Sequence, residues 1–316
     1  MPKKTNIGAA LISAALISAA LIARAPLAPA RAQQIADPDF KPAVGRPEYK
    51  EGRGPVVCVD EAHFNFHTAG GRYAPFAMLL RGDGYVVRPS AARFTRDALK
   101  ACRVLVISNA VGERNQTNWT QPIDSAFTDE EVAAVAEWVK RGGALFLIVD
   151  HMPMPGANDK LARAFGVRFS NGFALIPDGP STIVFRRADG LIGDHAITRG
   201  RTKAERIEQV ATFTGSAFRA AGATPILTFG DKVVSLEPQT AWQFTPETPK
   251  VDVKGWLQGA ALRHGKGRVV VFGEAAMFTA QLAGPNKLKV GMNAPDAAQN
   301  PQLLLNIVHW LDGKLK

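Results

Sequence analysis

Four short apolar runs in this chain each end on polar, titratable residues, and that pattern constrains the fold more than any other feature. Residues 55–59 run into Asp60, Glu61, His63, Asn65 and His67. Residues 104–107 run into Ser108 and Asn109, residues 144–149 into Asp150 and His151, and residues 269–272 into Gly273 and Glu274. Short β-branched runs bounded by turn residues read as buried strands, and helical patterns lie between several of them. In an open parallel sheet the carboxyl ends of the strands share one edge, where ligands bind. Four segments therefore send acids, imidazoles and amides to one rim.

The intervening pattern supports a parallel sheet. The clearest helix opens at Thr128, whose hydroxyl can cap it. Glu131 completes a capping box, and Phe127 and Val132 take the staple positions. Val132, Val135, Ala136 and Val139 form its apolar stripe, Gly142 and Gly143 end it, and the next strand follows at once. Strand, helix, strand in that order implies a right-handed parallel crossover. Further helices are expected over 73–80, 94–101, 158–165, 274–282 and 302–311, with a tight hairpin turn over 264–267. The long loop 110–125 has the length of a functional or mobile segment. From about 167 to 250 the chain breaks into brief β-like pieces separated by Gly, Pro and Asp, which reads as a β-rich antiparallel insertion.

The ends bound the organisation. Lys3 and Lys4 precede an apolar stretch over 7–23, with small-x-small sites at Ala28-Pro29-Ala30 and Ala30-Arg31-Ala32. That is the layout of a secretory signal peptide over 1–32, cleaved near Ala30 or Ala32, and it predicts a periplasmic or secreted protein. The apolar stretch also reaches the roughly 17-residue lower limit for a spanning helix, so an uncleaved anchor is the alternative and the one expected route to a membrane. Residues 33–54, polar and rich in Pro and Gly, read as a linker, and 55–312 as one α/β domain carrying the insertion. Segment 1–32 holds four basic residues and no acid, so its removal lowers the formal charge from +10 to +6. No basic run or basic-aromatic interleaving calls for nucleic acid. Cys58 and Cys102 are the two cysteines. In an oxidising compartment they can pair, and two buried free thiols are the alternative.

Several segments together resemble one family: Asp60-Glu61-Ala62-His63-Phe64-Asn65, Trp138 to Gly143, Asp150-His151-Met152-Pro153, His195 to Gly200, and Phe272-Gly273-Glu274-Ala275-Ala276. They are similar to exported bacterial proteins of a domain family of unknown function within the class I glutamine amidotransferase-like superfamily. The resemblance spans most of 55–312 and implies a flavodoxin-like core, a parallel sheet with helices on both faces. Members that hydrolyse glutamine carry a cysteine at the turn between strand and helix. Here that turn is Asp150-His151-Met152-Pro153, so the resemblance does not extend to a Cys-His-Glu triad.

The chemistry stays open in three ways. His63 and His67, at i and i+4, together with Asp60, Glu61, Asp150, His151 and Glu274, form a nitrogen and oxygen donor set suited to a divalent ion, with His63, His67 and Asp150 the expected ligands. No His-Glu-x-x-His motif is present. Alternatively the same residues form a metal-free acid–base site, or they only cap helices and satisfy strand-end amides. The catalytic candidates are Asp150, His151, Glu274 and His63. Asp60, Glu61, Asn65 and Asn109 are the expected ligand-binding groups. His195, His264 and His309 read as structural or exposed. Asn65, Trp119, Trp242, Trp256, Gln258 and Asn293 offer stacking and hydrogen bonds to a sugar-like ligand. Two functions follow: a hydrolase-like enzyme on a small polar or carbohydrate-like substrate, or a non-catalytic ligand-binding or assembly domain.

Overall fold

The alternation of side chains along each apolar run decides the architecture. In the computed structural model, which describes residues 34–316, the first half of the chain forms β1 (Gln34–Ala36), β2 (Val56–Asp60), α1 (Ala74–Gly82), β3 (Val86–Ser90), α2 (Arg96–Leu99), β4 (Val104–Ser108), α3 (Asp129–Lys140), β5 (Ala144–Ile148) and α4 (Met154–Ala164). The insertion supplies β6 (Val167–Phe169), β7 (Phe173–Leu175), β8 (Thr182–Arg186), α5 (Ala196–Arg199), β9 (Gln209–Phe213), β10 (Phe218–Ala220), β11 (Thr224–Thr228), β12 (Val234–Leu236) and β13 (Lys250–Asp252). The chain closes with β14 (Leu257–His264), β15 (Gly267–Phe272), β16 (Ala280–Ala283), β17 (Leu288–Gly291) and α6 (Asn300–Asp312).

Strands β3, β2, β4, β5 and β15 lie side by side in that order, all parallel. Counted among themselves along the chain, the order is 2-1-3-4-5, the flavodoxin-like arrangement. Val57, Val59, Val104, Val106, Phe146, Ile148, Val270 and Phe272 face one layer, where α1 and α6 contribute Phe76, Leu80, Leu304 and Val308. Leu105, Ile107, Leu145, Leu147, Val269 and Val271 face the other, against Val135 and Val139 of α3 and Leu161 of α4. The two-residue period of a strand puts neighbours on opposite faces, so a continuously apolar run is stable only between two helical layers. Each fully buried Val, Leu or Phe side chain in these layers contributes about 1.5–3 kcal/mol.

The flavodoxin-like core and β-rich insertion follow the sequence expectation, with refinements. β14 returns antiparallel to β15 through a turn in which Gly265 takes φ +58°. Strands β10 and β11 pair with β14, and β6 pairs with β10, so part of the insertion widens the main sheet. The rest forms a three-stranded sheet, β13-β12-β7, and the pair β8-β9. The capping box of α3 is complete: the Thr128 hydroxyl accepts from Glu131 N at 3.2 Å, and Glu131 Oε2 accepts from Thr128 N at 3.0 Å.

Two expectations are corrected. Residues 274–282 are not a helix but a single 3₁₀ turn, Ala276–Phe278, followed by β16. The Glu274 carboxyl takes the N–H groups of Ala276 and Met277, and β16 finds a strand partner on either side, β1 and β17. Within the expected linker 33–54, the described residues 34–54 also make contacts with distant parts of the fold. β1 pairs with β16, and the Tyr49 hydroxyl donates to Asp312 Oδ2 at 2.7 Å while its ring packs edge-on against Tyr85. The β16 and Asp312 partners lie more than 200 residues away in sequence, out of reach of local composition. Helix α4 also starts at Met154, four residues before the expected start. The expected signal peptide, 1–32, lies outside the described residues. Among the described residues no helix is long and apolar enough to cross a membrane.

Cys58 and Cys102 are joined in a disulfide, with Cα atoms 5.6 Å apart and a sequence separation of 44. Closing a loop of that length restricts the unfolded chain and stabilises the fold by about 4 kcal/mol on chain-entropy grounds. Replacing both cysteines by Ser is expected to lower unfolding free energy by about 2–4 kcal/mol. Urea titration of oxidised wild type and the double variant measures this, and coincident midpoints would contradict it.

Candidate functional site

The parallel register brings the carboxyl ends of β2, β4, β5 and β15 to one edge, and one side chain ties three of them together. Asn109, the residue after β4, sits at φ +51°, a left-handed conformation that Asn tolerates better than most residues. Its Oδ1 accepts from the backbone N–H of Asp150 at 2.9 Å, which fixes the amide orientation. Its Nδ2 therefore donates to His67 Nδ1 at 3.2 Å. With Nδ1 accepting, the neutral His67 ring carries its proton on Nε2, a buried atom with no hydrogen-bond partner. Burial above all, then the charges of Arg72 and His151, pushes the His67 pKa down to about 3. The ring is neutral at physiological pH.

His151 is oriented differently. Its backbone N–H donates to Asp150 Oδ1 at 2.8 Å, and its Nδ1 lies 2.8 Å from the Met152 carbonyl. A carbonyl only accepts, so Nδ1 bears the proton and the Nε2 lone pair is left unengaged by the described residues. The ring stacks on Phe173 at 4.6 Å, with an interplanar angle of 16°, and meets Trp242 edge-on at 4.7 Å. Trp242 is 54% exposed and Phe244 39% exposed, so this aromatic group opens to solvent. The loop 110–125 forms its neighbouring wall: the Trp119 carbonyl accepts from Ala241 N at 3.0 Å, and Thr120 bridges to Thr240. The turn carries no thiol, and neither Asp150 nor His151 adopts the positive φ seen at Asn109.

Glu274 closes the floor at the end of β15. It is fully buried, with Oε1 accepting from Ala276 N at 2.6 Å and Oε2 from Met277 N at 2.8 Å. Burial first, and the nearby Asp150 charge second, hold its pKa well above the ordinary carboxylate range. The Tyr73 hydroxyl donates to the Ala275 carbonyl at 2.9 Å beside it. Both side-chain amide atoms of Gln258 are buried without a hydrogen-bond partner among the described residues. Gly215, at φ +109°, permits the close approach there, since a Cβ would stand 2.8 Å from Gln258 Nε2 and 2.9 Å from Glu274 Cβ.

The remaining predicted residues form a second, self-satisfied cluster. His63 Nδ1 lies 2.9 Å from both oxygens of Asp60, and its Nε2 lies 3.0 Å from Glu131 Oε1. Carboxylates on both nitrogens require an imidazolium. Burial alone would depress the His63 pKa, but the hydrogen bonds and charges of Asp60 and Glu131 outweigh it and the pKa is raised. Asn65 donates to Asp60 Oδ2 and to the Ser108 carbonyl, and Glu61 Oε1 accepts from Ala69 N. Asp60, Glu61, Asn65 and Asn109 are thus all engaged by the protein itself. A depression of about 230 Å³ beside Phe64, Arg93 and Glu113 reaches His63. It offers no free imidazole nitrogen.

His63 and His67 share no helix, and their rings take different partners. Among the described residues no group of three or more His, Cys, Asp or Glu side chains is arranged to hold a metal ion. The proposed ligand set His63, His67 and Asp150 is therefore not assembled. His195 caps α5 by accepting from Ile197 N, His309 pairs with Asp83 at 2.6 Å, and His264 packs edge-on against Phe165. Sequence reading missed Tyr73, Phe173 and the second role of Glu131. The capping box pointed to Glu131, but only as a helix cap.

No protein-family model matches the chain, and no curated protein sequence matches it. Among solved structures, the chain is similar to the mmIFT52 N-terminal domain at a TM-score of 0.56 and 11% identity, covering 82% of this chain and 97% of that one. ThuA-like proteins from Bacteroides uniformis (TM-score 0.46, 13% identity, 87% and 96% coverage) and Parabacteroides merdae (0.45, 12%, 83% and 91%) are also similar. At these identities the likeness to the first is one of fold alone.

The two buried histidines give opposite pH signatures. The raised pKa of His63 makes its contribution to stability complete below pH 6.5 and lost as pH rises through the folded value. The depressed pKa of His67 makes stability fall as pH drops below 6.5 towards about 3. Removing one member of a buried ion cluster costs about 3–5 kcal/mol. His63→Gln should therefore destabilise by about that amount near pH 6, and by less as pH rises. His67→Gln should narrow its deficit, or gain on wild type, as pH falls. Urea unfolding from pH 5 to 9 checks both slopes, and parallel pH profiles would contradict the assignment.

Proposed function

We propose that this is an exported, hydrolase-like enzyme acting by acid–base chemistry on a small polar or carbohydrate-like substrate at the strand-end rim. The observation that carries the reading is His151, whose Nδ1–H is fixed on the Met152 carbonyl and whose Nε2 lone pair is free beside a solvent-facing aromatic group. A neutral imidazole in that tautomer is equipped to take a proton from an attacking water. Glu274, held towards its protonated form by burial and by Asp150, is the acid on the floor of the same rim. Trp242 and Phe244 supply exposed faces on which the apolar side of a sugar-like ring can stack. His63 has both nitrogens engaged by carboxylates and so no lone pair to offer a metal ion.

The flavodoxin-like order and the motifs around Asp60, Asp150 and Glu274 support placing the chain in an exported family of the amidotransferase-like superfamily. The Cys58–Cys102 disulfide supports an oxidising, extracytoplasmic location, as does the signal-like segment 1–32. A non-catalytic ligand-binding or assembly domain is the second reading. It draws on the internal engagement of Asp60, Asn65 and Asn109, which leaves few polar groups free for a substrate.

Purified protein screened against nitrophenyl esters and glycosides, with His151→Ala and His151→Gln in parallel, tests the first reading. Turnover of at least one substrate is expected, falling about 10²–10⁴-fold in both variants. Turnover indifferent to His151 would overturn its role. No turnover with any substrate, together with saccharide-dependent thermal stabilisation lost in Trp242→Ala, would favour the binding domain.

A further inference from the structure

We infer that the crevice between the loops after β2 and β4 is a binding site for a small zwitterion, an α-amino acid with an apolar side chain. In the order β3-β2-β4-β5-β15 the chain leaves β2 towards β3, and later leaves β4 in the opposite direction, towards β5. Helix α1 therefore covers one face of the sheet and α3 the other, and the loops part between β2 and β4. Open sheets of this order take ligands at that switch point. The depression of about 230 Å³ lies there, walled by residues 62–64 after β2, 111–113 after β4 and 125–128 ahead of α3, with Arg93 beside them. It is smaller than the pockets of about 300–1,000 Å³ that hold drug-sized molecules, so its ligand is small.

The lining decides the ligand. The Arg93 side chain is 67% exposed, and its one ion pair, Nη1 to Glu131 Oε2, is long at 3.4 Å. Nε and Nη2 stay free, and they form the edge of the guanidinium that grips a carboxylate with two parallel bonds. Glu113 lines the same cavity, and its carboxylate has no hydrogen bond or ion pair among the described residues. Its neighbour Arg114 turns instead to Asp124 at 3.0 Å, and Asp124 N donates to Asn115 Oδ1 at 2.8 Å, which fixes this wall. A cation and an anion on one small cavity match a ligand carrying both charges: a plain anion would meet Glu113, and a plain cation Arg93. Ala62, Phe64, Val111 and Ala126 offer apolar surface to its side chain. Phe64 is 45% exposed and sits at φ +48°, a conformation unfavourable to a bulky residue. Bonds on either side impose it, from His63 N to Asn65 Oδ1, Val111 N to the His63 carbonyl and Phe66 N to the Asn109 carbonyl. Strain over-determined in this way concentrates at ligand sites. His63 also lines the cavity but is committed to Asp60 and Glu131, so the site is independent of the His151 rim and of any reaction there.

Isothermal titration of the full chain with L-leucine, L-methionine and L-phenylalanine tests the site. Saturable one-to-one binding of at least one of the three is expected, at least about tenfold weaker after Arg93→Gln and after Glu113→Gln. Analogues lacking one charge, which for leucine are 4-methylpentanoate and 3-methylbutylamine, should bind wild-type protein at least about tenfold more weakly than the amino acid. The analogue comparison needs no substitution, so it decides the charge requirement whether or not a variant folds, and circular dichroism checks the variants. His151→Ala should bind as wild type does, which separates this site from the proposed catalytic one. No binding of any of the three, binding indifferent to Arg93 and Glu113 in folded variants, or an analogue that binds as well as the amino acid would each overturn the proposal. Loss of binding in folded His151→Ala would also overturn it, by moving the ligand to the rim.

Discussion

The Asn109 side chain is the contact on which the arrangement of the rim depends. The sheet ladder sets the strand register, but the segments beyond the strand ends need a tie of their own. Asn109 supplies one, accepting from Asp150 at the end of β5 and donating to His67 in the loop after β2, from its own position after β4. The geometry requires a left-handed backbone at Asn109, which places the short amide between two neighbours that a longer side chain would overshoot. Without it, the Asp150–His151 turn loses the hydrogen bond that fixes its first amide, and His67 loses the partner that selects its tautomer.

Around that clamp the polar residues divide by how completely the protein satisfies them. On the α3 side, Asp60, His63 and Glu131 form a chain of alternating charge that also completes the helix cap, and nothing in it remains available. On the β15 side, His151 keeps one nitrogen open, Glu274 is held towards its neutral form, and the side-chain amide of Gln258 has no partner among the described residues. Buried polar groups are normally paired, and a local excess of unpaired ones marks where a structure is organised for something besides stability. The groups left unengaged at the rim are thus His151 Nε2 after β5 and the Gln258 amide, together with His67 Nε2 in the loop after β2.

Much of this was legible in the sequence. Apolar runs ending on Asp60, Ser108, Asp150 and Glu274 specified strands, faces and the shared edge, because buried parallel strands need both faces apolar and side chains alternate with a fixed period. Helix α3 was legible because its cap is encoded within four residues. What escaped depends on partners distant in sequence. Glu131 meets His63 across 68 residues, β1 meets β16 from the far end of the chain, and Phe173 reaches His151 from the insertion. The i, i+4 spacing of His63 and His67 suggested a common ligand, yet the segment is not helical and each ring follows its own hydrogen bonds. The stretch after Glu274 looked helical because Ala, Met and Leu favour helices, and the strand pairing on both sides of β16 overrode that preference.

The central claim is that His151 presents an unprotonated Nε2 to the rim because its Nδ1–H is held by the Met152 carbonyl. Long-range ¹H–¹⁵N spectra of the imidazole groups, with His151 assigned through His151→Gln, test this most directly. In the pH range where His151 is neutral, the account predicts a protonated Nδ1 and a pyridine-like Nε2. A neutral His151 carrying its proton on Nε2 would contradict it, because the ring would then offer a donor where the proposed base must offer a lone pair.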